Sequence, residues 1–275
     1  PDMMDGVLAL ATTSRHSPQA IAFNEVARQS IMSDPHWNGG DYYDAQRPDL
    51  GLAVARMIGH ITYLSDESMH VKFGRELRHG GGFAFNFETE FQVESYLHHQ
   101  GKKFVERFDA NAFLYVTKAA DYFDLDLANS DSPARQALGR TKARFLLVSF
   151  TSDWLYPTYQ SRQVVEVLKQ LGRDATFCEI TAAWGHDAFL LPGTHLETAI
   201  GGFLGGLMHT DTGAELRFDL RIVASWIEPG SRVLDLGCGD GRLLRVLRDA
   251  KNVRGLGIEH DEEEVVAAIA QGLSV

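Results

Sequence analysis

The sequence of 275 residues predicts an α/β protein made of two successive parts. Short apolar runs with strand character occur at residues 6–13, 143–150 and 175–180. A long stretch of helical character, residues 18–123, separates the first two runs and is typical of a helical lid inserted into an α/β core. After residues 208–214 a new alternation of helix and strand begins and leads into a glycine-rich turn.

The elements of the first part follow from the spacing of apolar residues. Residues 158–171 place valines and leucines on one helical face, and Gly172 is a helix-stop signal. The order strand, helix, strand predicts parallel pairing through a right-handed crossover. Further helices are predicted at residues 19–31, 52–64, 87–101 and 102–123, with a closing helix that starts at 188–191.

In the second part the predicted elements are a helix over 216–227, a strand from 231 into the turn 237–241, a helix over 242–250 and a strand over 253–258. We therefore expect a first domain over residues 1–207, a linker at 208–214 and a second domain over 215–275.

The composition excludes some functions. A formal charge of −11 without a basic block argues against nucleic-acid binding. Cys178 and Cys238 are too few for a disulfide framework or a cysteine metal site, and they suit a reducing cytoplasm. No apolar stretch reaches the roughly 18 residues that cross a bilayer, so no membrane partner is expected.

Asp153 and His186 form two thirds of a catalytic triad by their order in the chain. Each follows a predicted parallel strand, so both are expected at the same carboxyl edge of the sheet. His186 would act as general base, and Asp153 would hold the imidazole tautomer. The alternatives are an Asp153 that caps the next helix and a His186 that is an ordinary loop histidine.

The serine that should precede this pair is missing, because no Gly-x-Ser-x-Gly occurs in the sequence. The chain opens on Pro1 and runs almost at once into a strand, and it ends abruptly at Gly272-Leu273-Ser274-Val275. We expect an internal piece of a longer polypeptide whose nucleophile lies upstream, and no transferase activity from this piece alone.

Five segments, in order, resemble the homoserine O-acetyltransferases over about residues 1–207. They are residues 21–26 (IAFNEV), 34–43 (DPHWNGGDYY), 55–65 (ARMIGHITYLS), 72–75 (KFGR) and 185–190 (GHDAFL). The resemblance implies the C-terminal part of an α/β-hydrolase fold with an inserted helical lid. It also implies homoserine and acetyl-CoA as substrates, no cofactor for acyl transfer, and a homodimer formed through the lid helices.

By the same resemblance, Asp153 and His186 are the triad acid and base, Arg56 grips the homoserine carboxylate and Asp187 contacts the substrate. A guanidinium suits a carboxylate, and a carboxylate suits an ammonium group. Arg56 could instead form a lid salt bridge, and Asp187 could cap the helix at Ala188. Leu155 stands where relatives that use succinyl-CoA tend to carry arginine, so acetyl-CoA is favoured over succinyl-CoA.

The second motif has an acid followed by alternating glycines, at Asp235, Gly237, Gly239 and Gly241, with Glu259 at the end of the next strand. This form resembles S-adenosylmethionine-binding methyltransferases, which implies the start of a Rossmann-like fold. Glu259 could also be a solvated strand end. Residues 216–220 (LRFDL), 226–241 (WIEPGSRVLDLGCGDG) and 257–259 (GIE) resemble MetW, a methyltransferase-like protein of methionine biosynthesis, over about residues 214–275.

Four functional hypotheses are consistent with the sequence. The first is a homoserine O-acetyltransferase joined to the beginning of a MetW-like domain. The second is a regulatory or interaction protein in which the MetW-like part binds a ligand or a neighbouring enzyme without methyl transfer. A homoserine O-succinyltransferase and a plain hydrolase are further alternatives, although Arg56 and Asp187 disfavour the hydrolase.

Overall fold

The computed structural model describes residues 4–80, 82–191, 194–207 and 218–275. The predicted linker at 208–214 and the predicted helix start at 216–217 lie outside the described residues. Within the described part no helix is both long and apolar enough to cross a membrane.

Three parallel strands form the sheet of the first region. They are β1 (Gly6–Leu10), β2 (Arg144–Phe150) and β3 (Ala175–Ile180), in the spatial order β1-β2-β3. The central strand β2 is buried along almost its whole length because layers cover both of its faces. Phe145 and Leu147 pack with α7 (Thr158–Gln170) on one side, and Leu146 and Val148 pack with α8 (Thr194–Leu207) on the other.

Helices inserted between β1 and β2 correspond to the predicted lid, apart from the last of them, whose Leu138 packs in the apolar cluster of the sheet. They are α1 (Pro18–Met32), α2 (Asp49–Tyr63), α3 (Asp66–Phe73), α4 (Gln92–Val105), α5 (Ala110–Tyr122) and α6 (Pro133–Arg140). Ala27 and Ile31 of α1 pack against Leu52 and Ala55 of α2 and against Phe104 of α4. The lid therefore has an apolar core separate from that of the sheet.

Four predicted boundaries in the first region were wrong. The strand predicted at 6–13 ends at Leu10, because Ala11 has a φ of 43°. The helices predicted at 87–101 and 102–123 are instead α4 and α5, since Asp109 caps α5 by accepting the N–H of Ala112. The closing helix predicted from 188–191 starts at Thr194, after a 3₁₀ segment over Gly185–Leu190.

The second region contains α9 (Phe218–Trp226), β4 (Arg232–Leu236), α10 (Arg242–Lys251), β5 (Arg254–Ile258) and α11 (Glu262–Ala270). Strands β4 and β5 pair in parallel as a separate two-stranded sheet. Helix α11 packs on α8 and β3 of the first region, and its Val266 and Ile269 belong to the same apolar cluster as Leu146. Gly202 makes this approach feasible, because a Cβ there would stand 2.0 Å from the Cα of Ala270.

Candidate active site

Asp153 and His186 meet at the carboxyl edge of the sheet. Asp153 lies in the turn after β2, and His186 lies in the 3₁₀ segment after the neighbouring β3. His186 Nδ1 is 2.9 Å from Asp153 Oδ2, and the Asp153 side chain is fully buried. The other carboxylate oxygen accepts the backbone N–H groups of Leu155 and Tyr156 at 3.0 and 2.9 Å. Asp153 therefore holds the imidazole and does not cap α7, whose N-cap position is Pro157.

Three aromatic rings surround the imidazole of His186. The ring centroids of Tyr156, Phe189 and Tyr63 lie 5.1, 5.7 and 6.0 Å from that of His186. Among the described residues, Nε2 of His186 has no hydrogen-bond partner, and the side chain is 15% exposed. The arrangement leaves Nε2 as the nitrogen that can exchange a proton with a reacting group.

The lid is fastened directly to the loops that carry this pair. Trp154 Nε1 donates to the carbonyl of Leu64 at 2.9 Å, and the Ser65 hydroxyl donates to the carbonyl of Ala183. Gly185 has a φ of 76°, and a Cβ there would come within 2.5 Å of the Ser65 nitrogen. A side chain at position 185 would push the end of α2 away from His186.

Arg56 and Asp187 lie beside the pair, and neither has a charged partner in contact in the described part of the chain. The Arg56 guanidinium lies over the rings of Phe104 and Tyr63, at 4.8 and 5.6 Å. No carboxylate among the described residues lies within 4 Å of it, so the lid salt bridge is not formed there. Asp187 is half-buried inside the 3₁₀ segment and follows its N-cap, Trp184, by three residues, so it is not the cap.

Electrostatics connect these two residues across the site. Burial raises the pKa of Asp187, while the charges of His186, Arg56 and Lys72 act in the opposite direction. Asp187 and Arg56 therefore influence each other electrostatically without an ion pair between them in the described part of the chain.

Sequence reasoning missed three residues of this neighbourhood, His60, Lys72 and Tyr96. His60 is buried and shares a hydrogen bond of 3.0 Å between its Nδ1 and the Tyr96 hydroxyl. Burial, and then the charges of Arg56 and Lys72, lower the pKa of His60 to about 4. The available signal was its position four residues after Arg56, which places both on one face of α2.

The structure places Leu155 next to the pair, half-buried, with its backbone N–H on Asp153.

The glycine-rich turn of the second region is closed by Glu259. Its carboxylate accepts the N–H groups of Gly239, His260 and Asp261 at 2.8, 2.7 and 3.1 Å. These bonds lower the pKa of Glu259. Glu259 is therefore bound to the turn and is not simply a solvated strand end.

The individual residues of the turn differ in what surrounds them. A Cβ on Gly237 would meet no heavy atom within 4 Å, whereas one on Gly241 would come within 2.3 Å of Leu273. Burial raises the pKa of Asp235, and the charge of Glu259 raises it further. Both glycines have a positive φ, 75° at Gly237 and 78° at Gly241, and a side chain at 241 would also displace the end of Leu273, whereas Gly237 faces open space.

Known proteins match both regions. The family model described as "Methionine biosynthesis protein MetW" matches residues 217–275. A homoserine O-acetyltransferase of Desulfotalea psychrophila is 56% identical over 207 residues, which are 75% of this chain and 53% of that protein. Another, from Methanosalsum zhilinae, is 46% identical over 270 residues, which are 97% of this chain and 53% of that protein.

A crystal structure of homoserine O-acetyltransferase from Bacillus anthracis superposes with a TM-score of 0.60 and 23% identity, over 68% of this chain and 50% of that one. This likeness confirms the predicted α/β core with its inserted helices. The chain spans about half the length of the curated relatives that it matches. It is homologous to the homoserine O-acetyltransferases over three quarters of its length or more, and its last 59 residues match the MetW family.

Proposed function

We propose that the chain supplies the acid–base and acceptor-binding half of a homoserine O-acetyltransferase. The observation that carries the proposal is the bond between His186 and the buried Asp153, with Nε2 left without a partner among the described residues. A serine hydroxyl placed at Nε2 would lose its proton to His186 as its oxygen attacks the thioester of acetyl-CoA. The C–S bond then breaks, the coenzyme A sulfur takes the proton from His186, and the acetyl group stays on the serine.

The second half-reaction uses the same histidine on the acceptor. His186 removes the proton of the homoserine hydroxyl, whose oxygen attacks the acyl-serine, and returns that proton to the departing serine oxygen. Asp153 stabilises the imidazolium in both halves. Arg56 would bind the homoserine carboxylate and Asp187 its ammonium group.

A chimaera tests this proposal. The matched half of the D. psychrophila relative is replaced by residues 1–207 of this chain, and transfer from acetyl-CoA and from succinyl-CoA to homoserine is measured. We expect acetyl transfer within about tenfold of the parent enzyme and little succinyl transfer, because the apolar Leu155 offers a second carboxylate no partner. A folded chimaera that hydrolyses acetyl-CoA without acylating homoserine would favour a hydrolase instead. We expect the isolated 275-residue chain to transfer no acetyl group.

S-adenosylmethionine is our proposed ligand for the second region. The support is the open space at Gly237, where a ligand could approach the backbone, and the ionised Glu259 held at the turn. Asp235, Gly239 and Gly241 would complete the site. Calorimetric titration of the 275-residue chain with S-adenosylmethionine tests this proposal. We expect a saturable heat of binding that Glu259→Gln abolishes. Absence of that heat would mean that the second region does not bind S-adenosylmethionine.

We also propose a homodimer through the lid and a place in the cytoplasm. Exposed apolar side chains on α1 and α5, Val26, Tyr115 and Val116, support the dimer. The cytoplasmic location is inferred from the low cysteine content, two residues in the chain. Sedimentation of Val116→Glu against the parent chain tests the dimer.

A further inference from the structure

A second histidine–aspartate pair lies next to the candidate active site, between the loop that follows β1 and helix α5. His16 follows β1, and its Nδ1 is 3.2 Å from Oδ1 of Asp121 in the last turn of α5. Both side chains are largely buried, 12% and 4% exposed. Asn24 of α1 donates to the same Asp121 oxygen at 2.7 Å.

Arg28 completes this buried group from one turn further along α1. Its Nη1 is 2.7 Å from Asp121 Oδ2, an ion pair in which the two atoms make no aligned hydrogen bond. Burial by itself would raise the pKa of Asp121, but the hydrogen bonds from Asn24 and His16 and the positive charge of Arg28 outweigh it and lower that pKa. Asp121 is therefore charged, and it orients the Nδ1–H of His16 toward itself.

This orientation turns the other nitrogen of His16 toward the active site. His16 Nε2 is 3.1 Å from the hydroxyl of Tyr156, which donates to it when Nδ1 carries the ring proton. Burial raises the pKa of Tyr156, so the phenol keeps its proton. The hydrogen bond to His16 therefore holds the hydroxyl end of the Tyr156 side chain in place.

Tyr156 touches both members of the candidate catalytic pair. Its backbone N–H binds Asp153 at 2.9 Å, and its ring stands perpendicular to that of His186, 5.1 Å away and tilted by 88°. If the Tyr156 side chain could rotate, its ring would no longer pack against the His186 imidazole. Burying an ion pair does not by itself stabilise a protein. We therefore attribute the Arg28–Asp121 pair to fixing the positions of the side chains around it.

We infer that His16 is a positioning residue that acts through the Tyr156 hydroxyl to hold the His186 ring against Asp153. The inference rests on the proposed acid–base role of His186 and adds the group that orients it. His16 itself touches neither Asp153 nor His186, so its effect must pass through Tyr156.

Nuclear magnetic resonance of the 275-residue chain, with ¹⁵N-labelled histidine, tests the inference without requiring turnover. The Nδ1 proton of His186 is identified by its loss in Asp153→Asn, and its exchange rate with water is measured. We expect exchange about tenfold faster in Tyr156→Phe and in His16→Ala, the effect of one lost hydrogen bond. The double variant should exchange no faster than either single one, because both remove the same contact.

Matched controls and outcomes separate this inference from the function on which it rests. Tyr122→Phe and His99→Ala remove the same groups from exposed positions and should leave the exchange rate unchanged. Should His16→Ala fail to fold, Tyr156→Phe keeps the ring and His16→Gln keeps a polar side chain. Exchange at the parent rate in the folded variants overturns this inference but leaves the proposed function standing. Additive effects in the double variant have the same consequence. A parent chain without a protected Nδ1 proton overturns both the inference and the proposed function.

In the chimaera, a positioning role further predicts that Tyr156→Phe lowers kcat while the KM for homoserine stays constant. A raised KM with unchanged kcat would place Tyr156 at the acceptor and contradict the inference.

Discussion

The two regions of this chain each place an acid after a parallel strand, but they differ in how far other elements bury that acid. Asp153 is buried, and its oxygens are shared among His186 and two backbone N–H groups. Glu259 is held as firmly by backbone N–H groups, yet the strands beside it leave Leu236 70% and Ile258 52% exposed. The comparison shows that the strand–acid pattern fixes the position of a carboxylate. Neighbouring elements, here the loop after β3 and the end of α2, bring further groups to that neighbourhood.

The largest effect is expected where the first region is most complete. Asp153→Asn in the chimaera should lower kcat by about 10⁴-fold, because the imidazole loses the acceptor that fixes its tautomer. Steady-state kinetics with acetyl-CoA and homoserine measure it, with the exposed Asp131→Asn as control. A decrease of less than tenfold would mean that the first region is no better assembled than the second.

The boundary between the regions is tested next. Ile269 of α11 is buried in the apolar cluster of the first region, so Ile269→Ala should lower the free energy of unfolding by about 3 kcal/mol. Hydrogen exchange should show that β2 loses protection as well as α11. The control is Ile258→Ala, whose side chain is half exposed. Lost protection confined to residues 218–275 would show that the regions are independent.

Arg56→Ala examines acceptor binding in the first region. Loss of a charge-assisted contact should raise the KM for homoserine roughly 10- to 100-fold and change kcat less. Arg56→Lys should recover part of the affinity, since it keeps the charge and loses the fork of donors. Arg15→Ala, on an exposed ion pair, is the control. An unchanged KM would remove Arg56 from the acceptor site.

The smallest effect concerns Glu262, which joins the second region to the first. Its carboxylate accepts the N–H of Thr181 and pairs with His195, both at 3.1 Å. Burial would raise the pKa of Glu262, but these bonds outweigh it and lower that pKa. Glu262→Gln should cost about 1 kcal/mol of unfolding free energy at neutral pH.

The sign of the Glu262 effect follows from its lowered pKa. The stabilisation is present above the unfolded pKa near 4.5 and disappears as the pH falls through the folded value. Melting curves from pH 7 to pH 3 should converge for Glu262→Gln and the parent chain, with the exposed Glu263→Gln as control. A difference that persists at the acidic end would contradict the role of the charge.

Local sequence signals predicted the sheet well and the long-range contacts poorly. β3 was predicted residue for residue, and α7 to within one residue, because apolar spacing and Gly172 mark both. The break between α4 and α5, at residues 106–109, was missed because it is only four residues long and aromatic residues continue on both sides of it. No local pattern could join His16 to Asp121, which is 105 residues away.

The same limit explains which parts of the site were foreseen. Parallel strand order was enough to bring Asp153 and His186 together. Packing of α11 on β3 could not be anticipated, since an amphipathic helix does not specify which apolar surface it covers.

That packing has a consequence for how the chain is made. Translation releases β2 and β3 well before residues 262–270, so the ribosome presents a sheet whose apolar face lacks Val266 and Ile269. Nascent chains with such uncovered surfaces are prone to aggregate and are clients of chaperones. In this chain that apolar face is covered only once residues 262–270 have been synthesised.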